Sequence, residues 1–442
     1  MVQRLESYFT ERERAGRESR LQHPAGLARI CDDAWRHFLT IGFPTTRDEE
    51  WRFTSVASIA QGAFTLSTPR AAAVSELDVA SFRLPDAAAE LVFVDGRYHA
   101  SLSRGARPSG AVIESLAAVL ETSSGRLERR LPLFDSCDRQ PFAALNLAFL
   151  GDGAWIELSA GTDLPEPIHL LFIATGQEAG RPIMSHPRVL VGLGERSRAS
   201  VVETYAGSSG VGYFTNAVTE AILSDHAILD HYLLQHEAAS ASHVGTIHVR
   251  AGRDARYDSH AINLGGALVR NDLTVVLDGE GAECALHGLY TSNGGRLVDN
   301  HTTIDHAKPR CGSREVYKGI LADRSRGVFN GKIIVRPDAQ GTDARQTNRA
   351  LLLSDDARID TTPQLEIFAD DVKCTHGAAI GQLDDEALFY IRSRGLSEQA
   401  ARRLLIHAFA ADVVARMPIA SVRAAVDARL QRQLGWALPG AA

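Results

Sequence analysis

Residues 217–235 read "AVTEAILSDHAILDHYLLQ". Two runs rich in apolar and β-branched residues flank the polar triplet "SDH", which has room only for a tight corner between two strands. The same grammar returns in "LSDDARID" at 353–360. Working outward, short runs of the same texture recur from about 90 to 380: "LVFVDG", "AWIELS", "HLLFIAT", "RVLVGLG", "ASVVETYAG", then "LTVVLDGEGAECALHGLY" and "QLEIFAD". Almost none of this stretch has helical periodicity, so βαβ units are excluded. A sandwich, a barrel or a solenoid remains. Nearly 300 residues of strand (from about 90 to 380) is long for one sandwich, and the corners follow closely on one another, which favours a β-solenoid. The sequence carries no clean hexapeptide-type repeat, which counts against an ideal one.

The flanks differ. "LARICDDAWRHFLTIG" places Leu27, Ile30, Trp35, Phe38 and Leu39 near a 3.6 period, with Gly42 and Pro44 to end the helix. After Gly381, "DDEALFYIRSRG" has acidic residues in its first turn and Gly395 at its end, and Ser397 is placed to cap a second helix. That helix carries a stripe of Ala401, Leu405, Phe409 and Val413, with Leu404 and Ala408 beside it. A further helix over about 419–434 aligns Ile419, Val422, Val426 and Leu430. Such helices either cap their own domain or dock a partner.

The chain has 442 residues, 45% of them hydrophobic and 23% charged, the balance of a globular protein. A net charge of -7 with no Lys/Arg-rich face argues against nucleic-acid binding. The N-terminus has no apolar signal core, and the longest apolar runs, such as "IHLLFIA", are far too short to span a membrane. The five cysteines are scattered and never spaced CxxC, which fits the reducing cytosol. Cys31, Cys137 and Cys284 read as small buried hydrophobes.

No P-loop, GxSxG, HExxH or EF-hand pattern is present, and "VGLGERS" lacks the following helix that a phosphate cradle needs. His301, Asp305, His306 and Cys311 fall within eleven residues but match no tetrahedral zinc spacing. They read as polar residues at corners and turns. Cys374 and His376 are a sharper pair. At i and i+2 of a strand they share a face, about 7 Å apart. Together they fit a soft metal site, a nucleophile with its base, or a structural pair. Two ligands do not complete an iron site, so as a metal site this pair needs ligands from distant residues or a second chain.

The block from 326 to 397, containing "GVFNGKIIVRPDAQGTDARQTNRALLLSDDARID" and "DDVKCTHGAAIGQLDDEALFYIRSRGLS", closely resembles the SufB/SufD family of iron–sulfur cluster assembly proteins. "NHTTIDHAKPRCGSREVYKGIL" at 300–321 matches it too, and "PTTRDEEWRFTS" and "PEPIHLLFIAT" do so more loosely. "DDVKCTHGA" resembles the SufD branch rather than the SufB branch. The resemblance implies a mainly β fold: an N-terminal helical region (1–85), a right-handed parallel β-helix core (86–383) and a C-terminal helical domain (384–442). It further implies a non-catalytic subunit that pairs with a SufB-like scaffold subunit and docks SufC, an ABC-type ATPase, on its C-terminal helices. Leu388, Tyr390, Leu405 and Phe409 are the candidate docking residues. No tightly bound cofactor is implied, only a transient iron–sulfur cluster at the subunit interface. His376 matches the family histidine that faces a SufB cysteine there, with Cys374 as a second ligand or a structural neighbour. Pairing with a second copy of this chain is a further expectation, since sheet edges pair readily.

Two other classes compete. A carbohydrate-active β-helix is usually secreted and presents acidic or aromatic rows along a groove, at odds with the missing signal and 7% aromatics. A purely structural interaction subunit, in which Cys374 and His376 bind nothing, has the same sequence signature as a scaffold.

Overall fold

The computed structural model describes residues 5–19, 24–68, 74–105, 108–130, 140–178, 180–208 and 210–433. Cys137 lies outside them. The core is a parallel β-solenoid of two facing sheets, entered alternately by successive strands. One sheet runs in the order Arg358–Ile367, Arg326–Val335, Leu297–His306, Leu268–Leu277, Ser242–Ala251, Phe214–Leu223, Arg188–Leu193, Gly153–Leu158. The other runs Val372–Gly381, Thr342–Leu352, Gly312–Leu321, Glu283–Ser292, Arg256–Asn263, Ile228–His236, Arg198–Gly207, Ile168–Ala174, Ala89–Val94. Arg270 pairs with Asp299 and Asp299 with Val328, so one turn of the coil takes 29 residues there.

Alternation along each strand sets the inside and the outside. In Leu297–His306 the even-numbered residues from Val298 to His306 face the lumen, and Asp299, His301, Thr303 and Asp305 face out. Val189, Val201, Leu229, Tyr257, Val275, Leu286, Ile304, Tyr317 and Phe329 stack through the lumen as one continuous core.

The corners are built alike. Arg196, His226, Asp254 and Asp323 adopt positive φ of 52–60°, and a small residue closes each turn. Ser197, Ala227, Ala255 and Ser325 donate their backbone N–H back three residues, to Gly194, Ser224, Gly252 and Ala322. Three of the left-handed residues donate theirs to the next corner along: Arg196 to Asp225 O (3.0 Å), His226 to Arg253 O (2.8 Å) and Asp254 to Glu280 O (2.9 Å). This satisfies backbone groups that a tight bend would otherwise leave unpaired.

Helices cover the outer faces. On the first sheet lie Ala25–Ile41 and Pro141–Ala148, packed through Phe38, Phe43, Phe142, Trp51 and Phe214. Pro141–Ala148, like Leu116–Arg130, lies in sequence that reads as strand-rich with almost no helical periodicity; the structure corrects that reading. Every residue of "PFAALNLA" is buried, so it has no polar face to set a 3.6 period.

Asp385–Ser393 packs on Glu398–Val414, which together with Ala420–Gln433 lies on the second sheet. Asp384 caps the first, accepting from the N–H of Glu386 (2.8 Å) and Ala387 (3.1 Å). Ser397 caps the second, accepting from Ala400 N–H (3.2 Å). Val422, Val426 and Leu430 are fully buried against Tyr232, Leu234, Ile262 and Leu264. On Glu398–Val414 the buried side is Ala401, Ile406, Ala410, Val413 and Val414, whereas Leu404 and Ala408 face solvent. The expected stripe is therefore rotated by a few tens of degrees. Cys31 and Cys284 are buried.

Candidate functional site at the open end of the solenoid

Cys374 and His376 lie on Val372–Gly381, the final strand of the second sheet. Their backbone partners one turn down are Ala344 and Gln346, both buried in the lumen. Both side chains are therefore on the lumen side of the last turn, and no further turn covers them. No residue of this strand is buried, nor any residue of Arg358–Ile367 beside it. Phe368 (62% exposed) and Ile380 (50%) stand at the same end.

The two side chains rest on different floors. Cys374 is half-buried on an apolar cluster of Ile333, Val335, Ala339 and Ala344. Burial pushes its thiol above the usual range, which opposes formation of the nucleophilic thiolate. The column under His376 is polar. Gln346 Nε2 donates to Glu315 Oε2 at 2.6 Å, and burial raises the Glu315 carboxyl to about 7. Among the described residues, no three His, Cys, Asp or Glu side chains converge as a metal site.

The other sequence candidates disperse. His301 faces outward between Asp299 (Oδ1, 3.1 Å) and Glu50 (Oε2, 3.3 Å). There Arg270 lies 4.2 Å above the Trp51 ring and Thr54 donates to Asp299, so "EEWRFTS" is clasped to the sheet. Asp305 accepts from Arg336 Nη2 at 2.6 Å. His306 turns into the core with Nε2 3.0 Å from Ser313 Oγ, and the Cys311 thiol donates to Gly279 O at 3.3 Å. These four do not assemble into one site.

The C-terminal candidates split as well. Tyr390 is 59% exposed beside Phe389 (74%), while Leu388 is buried. Leu405 is half-buried. Phe409 packs on the chain's own sheet, its carbonyl accepting from Lys318 Nζ at 3.0 Å.

Sequence reading missed a polar cluster inside the lumen. Glu203 accepts from Tyr205 OH (2.7 Å), Thr219 Oγ1 (2.7 Å) and His231 Nε2 (2.9 Å), and His231 Nδ1 lies 2.9 Å from Tyr257 OH. Burial opposes ionisation of Glu203, but these bonds outweigh it and hold the carboxyl below its usual range. Its members come from four strands, so only the pairing register could have joined them.

A two-sheet parallel solenoid, flanked by helices and with Cys374 beside His376 on an uncovered last turn, defines a helix-flanked β-solenoid protein. Family comparison is more specific. Residues 172–409 match the core-domain model of the SUF system FeS cluster assembly proteins, SufBD, and residues 3–170 match the SufBD N-terminal region. An iron–sulfur cluster assembly SufBD family protein of Synechocystis is 34% identical over 397 residues, covering 87% of this chain and 86% of its own. The iron–sulfur cluster assembly protein SufD of Escherichia coli is 32% identical, covering 92% of both chains. SufD of Bacillus subtilis is 25% identical over 76% of this chain and 77% of its own. The chain belongs to the SufBD family of iron–sulfur cluster assembly proteins and is SufD-like.

Proposed function

We propose that this chain is a non-catalytic subunit of a SUF assembly scaffold. Its open end meets a SufB-like subunit, or a second copy of itself, and His376 supplies half of a transient site for iron or a nascent cluster. Cys374 stands beside it as a second, less accessible ligand. The carrying observation is the juxtaposition at the last turn: a Cys/His pair on the lumen side of an uncovered strand, two ligands short of a site, with the outer backbone edge of that strand left open. An exposed ten-residue strand with Ile380 on it is a pairing surface unless something covers it. The half-site then takes its remaining ligands from the facing chain.

A SufC-like ATPase docks on the C-terminal helices, for which exposed Phe389 and Tyr390 offer an aromatic anchor of the kind interfaces favour. ATP hydrolysis belongs to that partner, and its cycle opens or strains the end-to-end interface.

The test is anaerobic co-expression of the tagged chain with SufB- and SufC-like partners, followed by affinity purification. Co-purification of both, with SufC lost when residues after about 385 are deleted, supports the assembly. A chain that elutes alone overturns it. A purely structural role has one observation in its favour, the seating of Cys374 on an apolar floor. His376→Ala separates the two: an intact complex with lower cluster yield supports the half-site, and loss of the complex supports the structural role.

A further inference from the structure

Behind His376 the lumen carries a group that packing alone does not explain. Gln346 is 2% exposed, its Nε2 is committed to Glu315, and its Oε1 is buried without a hydrogen-bond partner. The oxygen and nitrogen of a side-chain amide point to opposite sides. With the nitrogen turned down the column to Glu315, the oxygen is turned up, towards the last turn. The residue directly across the register on that turn is His376, in a parallel ladder whose strands lie about 4.8 Å apart. Space for the amide is made by the facing sheet: a Cβ on Gly331 would sit 2.1 Å from Gln346 Nε2. Buried acceptors are nearly always satisfied, and an orphan one calls for a donor.

We infer that Gln346, anchored by Glu315, is a positioning residue for His376, its side-chain carbonyl accepting from one ring N–H and so presenting the other nitrogen's lone pair to the facing subunit. Neutral imidazole is a donor at one nitrogen and an acceptor at the other, so fixing the first hydrogen bond fixes the ligand atom. Outer hydrogen bonds orient metal-binding histidines in this way. Ala344, in the same position under Cys374, has no polar side chain and offers the thiol only a backbone group, so side-chain steering is confined to the imidazole. The metal consequence rests on the half-site reading above; the tautomer does not.

The test records ring ¹⁵N shifts of His376 in the full chain alone, against His376→Ala for assignment. Gln346→Leu should change the tautomer ratio about fivefold, the equivalent of one net hydrogen bond. Gln346→Glu, which keeps an acceptor, should restore the original preference. An unchanged ratio in a folded Gln346→Leu protein overturns the inference. Should that variant fail to fold, Glu315→Leu, which releases the amide, must still broaden the tautomer distribution; an unchanged one overturns the inference equally. Cluster yield in the assembled complex is read separately. A tautomer change with unchanged yield sustains the positioning role and refutes His376 as a ligand.

Discussion

The solenoid is finished in opposite ways at its two ends. At the first, every residue of Ala89–Val94 is buried, and the short strands Arg97–Tyr98 and Arg104–Gly105 turn back on it antiparallel. Ala111–Ser115 likewise runs antiparallel to Gly153–Leu158. Nearby, the buried Arg188 guanidinium bonds Glu220 Oε1 at 2.7 Å and Asn146 Oδ1 at 2.9 Å, under helix Pro141–Ala148. At the last end, two ten-residue strands contain no buried residue, and the chain departs into helices that lie on a side face instead of on the end. One end is closed by its own chain at the cost of many ordered residues. The other leaves its backbone edge and the Cys374–His376 pair uncovered.

Breaking the closed end should have the largest effect. Arg188→Leu removes the guanidinium from the buried Glu220 carboxylate and should cost about 3–5 kcal/mol in urea unfolding. Next come the stacked histidines under the C-terminal helices, His260 and His287, with ring centroids 5.1 Å apart. Burial lowers them to about 3 and about 4. The unfolded chain takes up these protons near pH 6.5 and the folded chain does not, so their contribution is complete above that pH and falls as pH drops towards 4. A loss on the order of 2–3 kcal/mol per histidine is expected between pH 6.5 and 4. His260→Phe, which keeps the stack on Tyr232, should flatten that slope.

At the open end, Cys374→Ala and His376→Ala should change the stability of the isolated chain by about 0.5 kcal/mol or less. A cost comparable to Arg188→Leu would mean that the pair holds the last turn together, and the contrast between the ends would collapse. The mildest contrast is kinetic. Amides of Val372–Gly381 should exchange with solvent faster than those of Ala89–Val94, and become protected when the partner chain is added.

The strands were legible because β-branched runs punctuated by polar corners have few other solutions. Their coiling into a solenoid was legible in outline, from the length of the strand region and its close corners; the register was not, because the turns vary in length and no residue type repeats. The hidden regularity is the small residue closing each corner at Ser197, Ala227, Ala255 and Ser325, which blends into an alanine-rich sequence. Helix Pro141–Ala148 escaped because it is apolar on every side. Leu404 and Ala408 were placed beside the packed stripe because hydrophobicity, not geometry, chose them; both face solvent. Cys374 and His376 could be paired from their i, i+2 spacing alone. The floors beneath them could not, since Ala344 and Gln346 are thirty residues upstream (374 against 344) and meet them only through the register.

The corner bonds have a consequence for length. Because the turns at Arg196, His226 and Asp254 hand their left-handed N–H to the carbonyl of the next corner in the same way, these turns are built as like modules. The coil can gain or lose them whole, with the reach of the protein changing in increments of about 4.8 Å. Removing one turn would shift the terminal strand by a single increment relative to the helices fixed on the flank, and leave its chemistry unaltered. The number of turns therefore acts as a ruler, setting how far the exposed strand projects beyond the helical buttress.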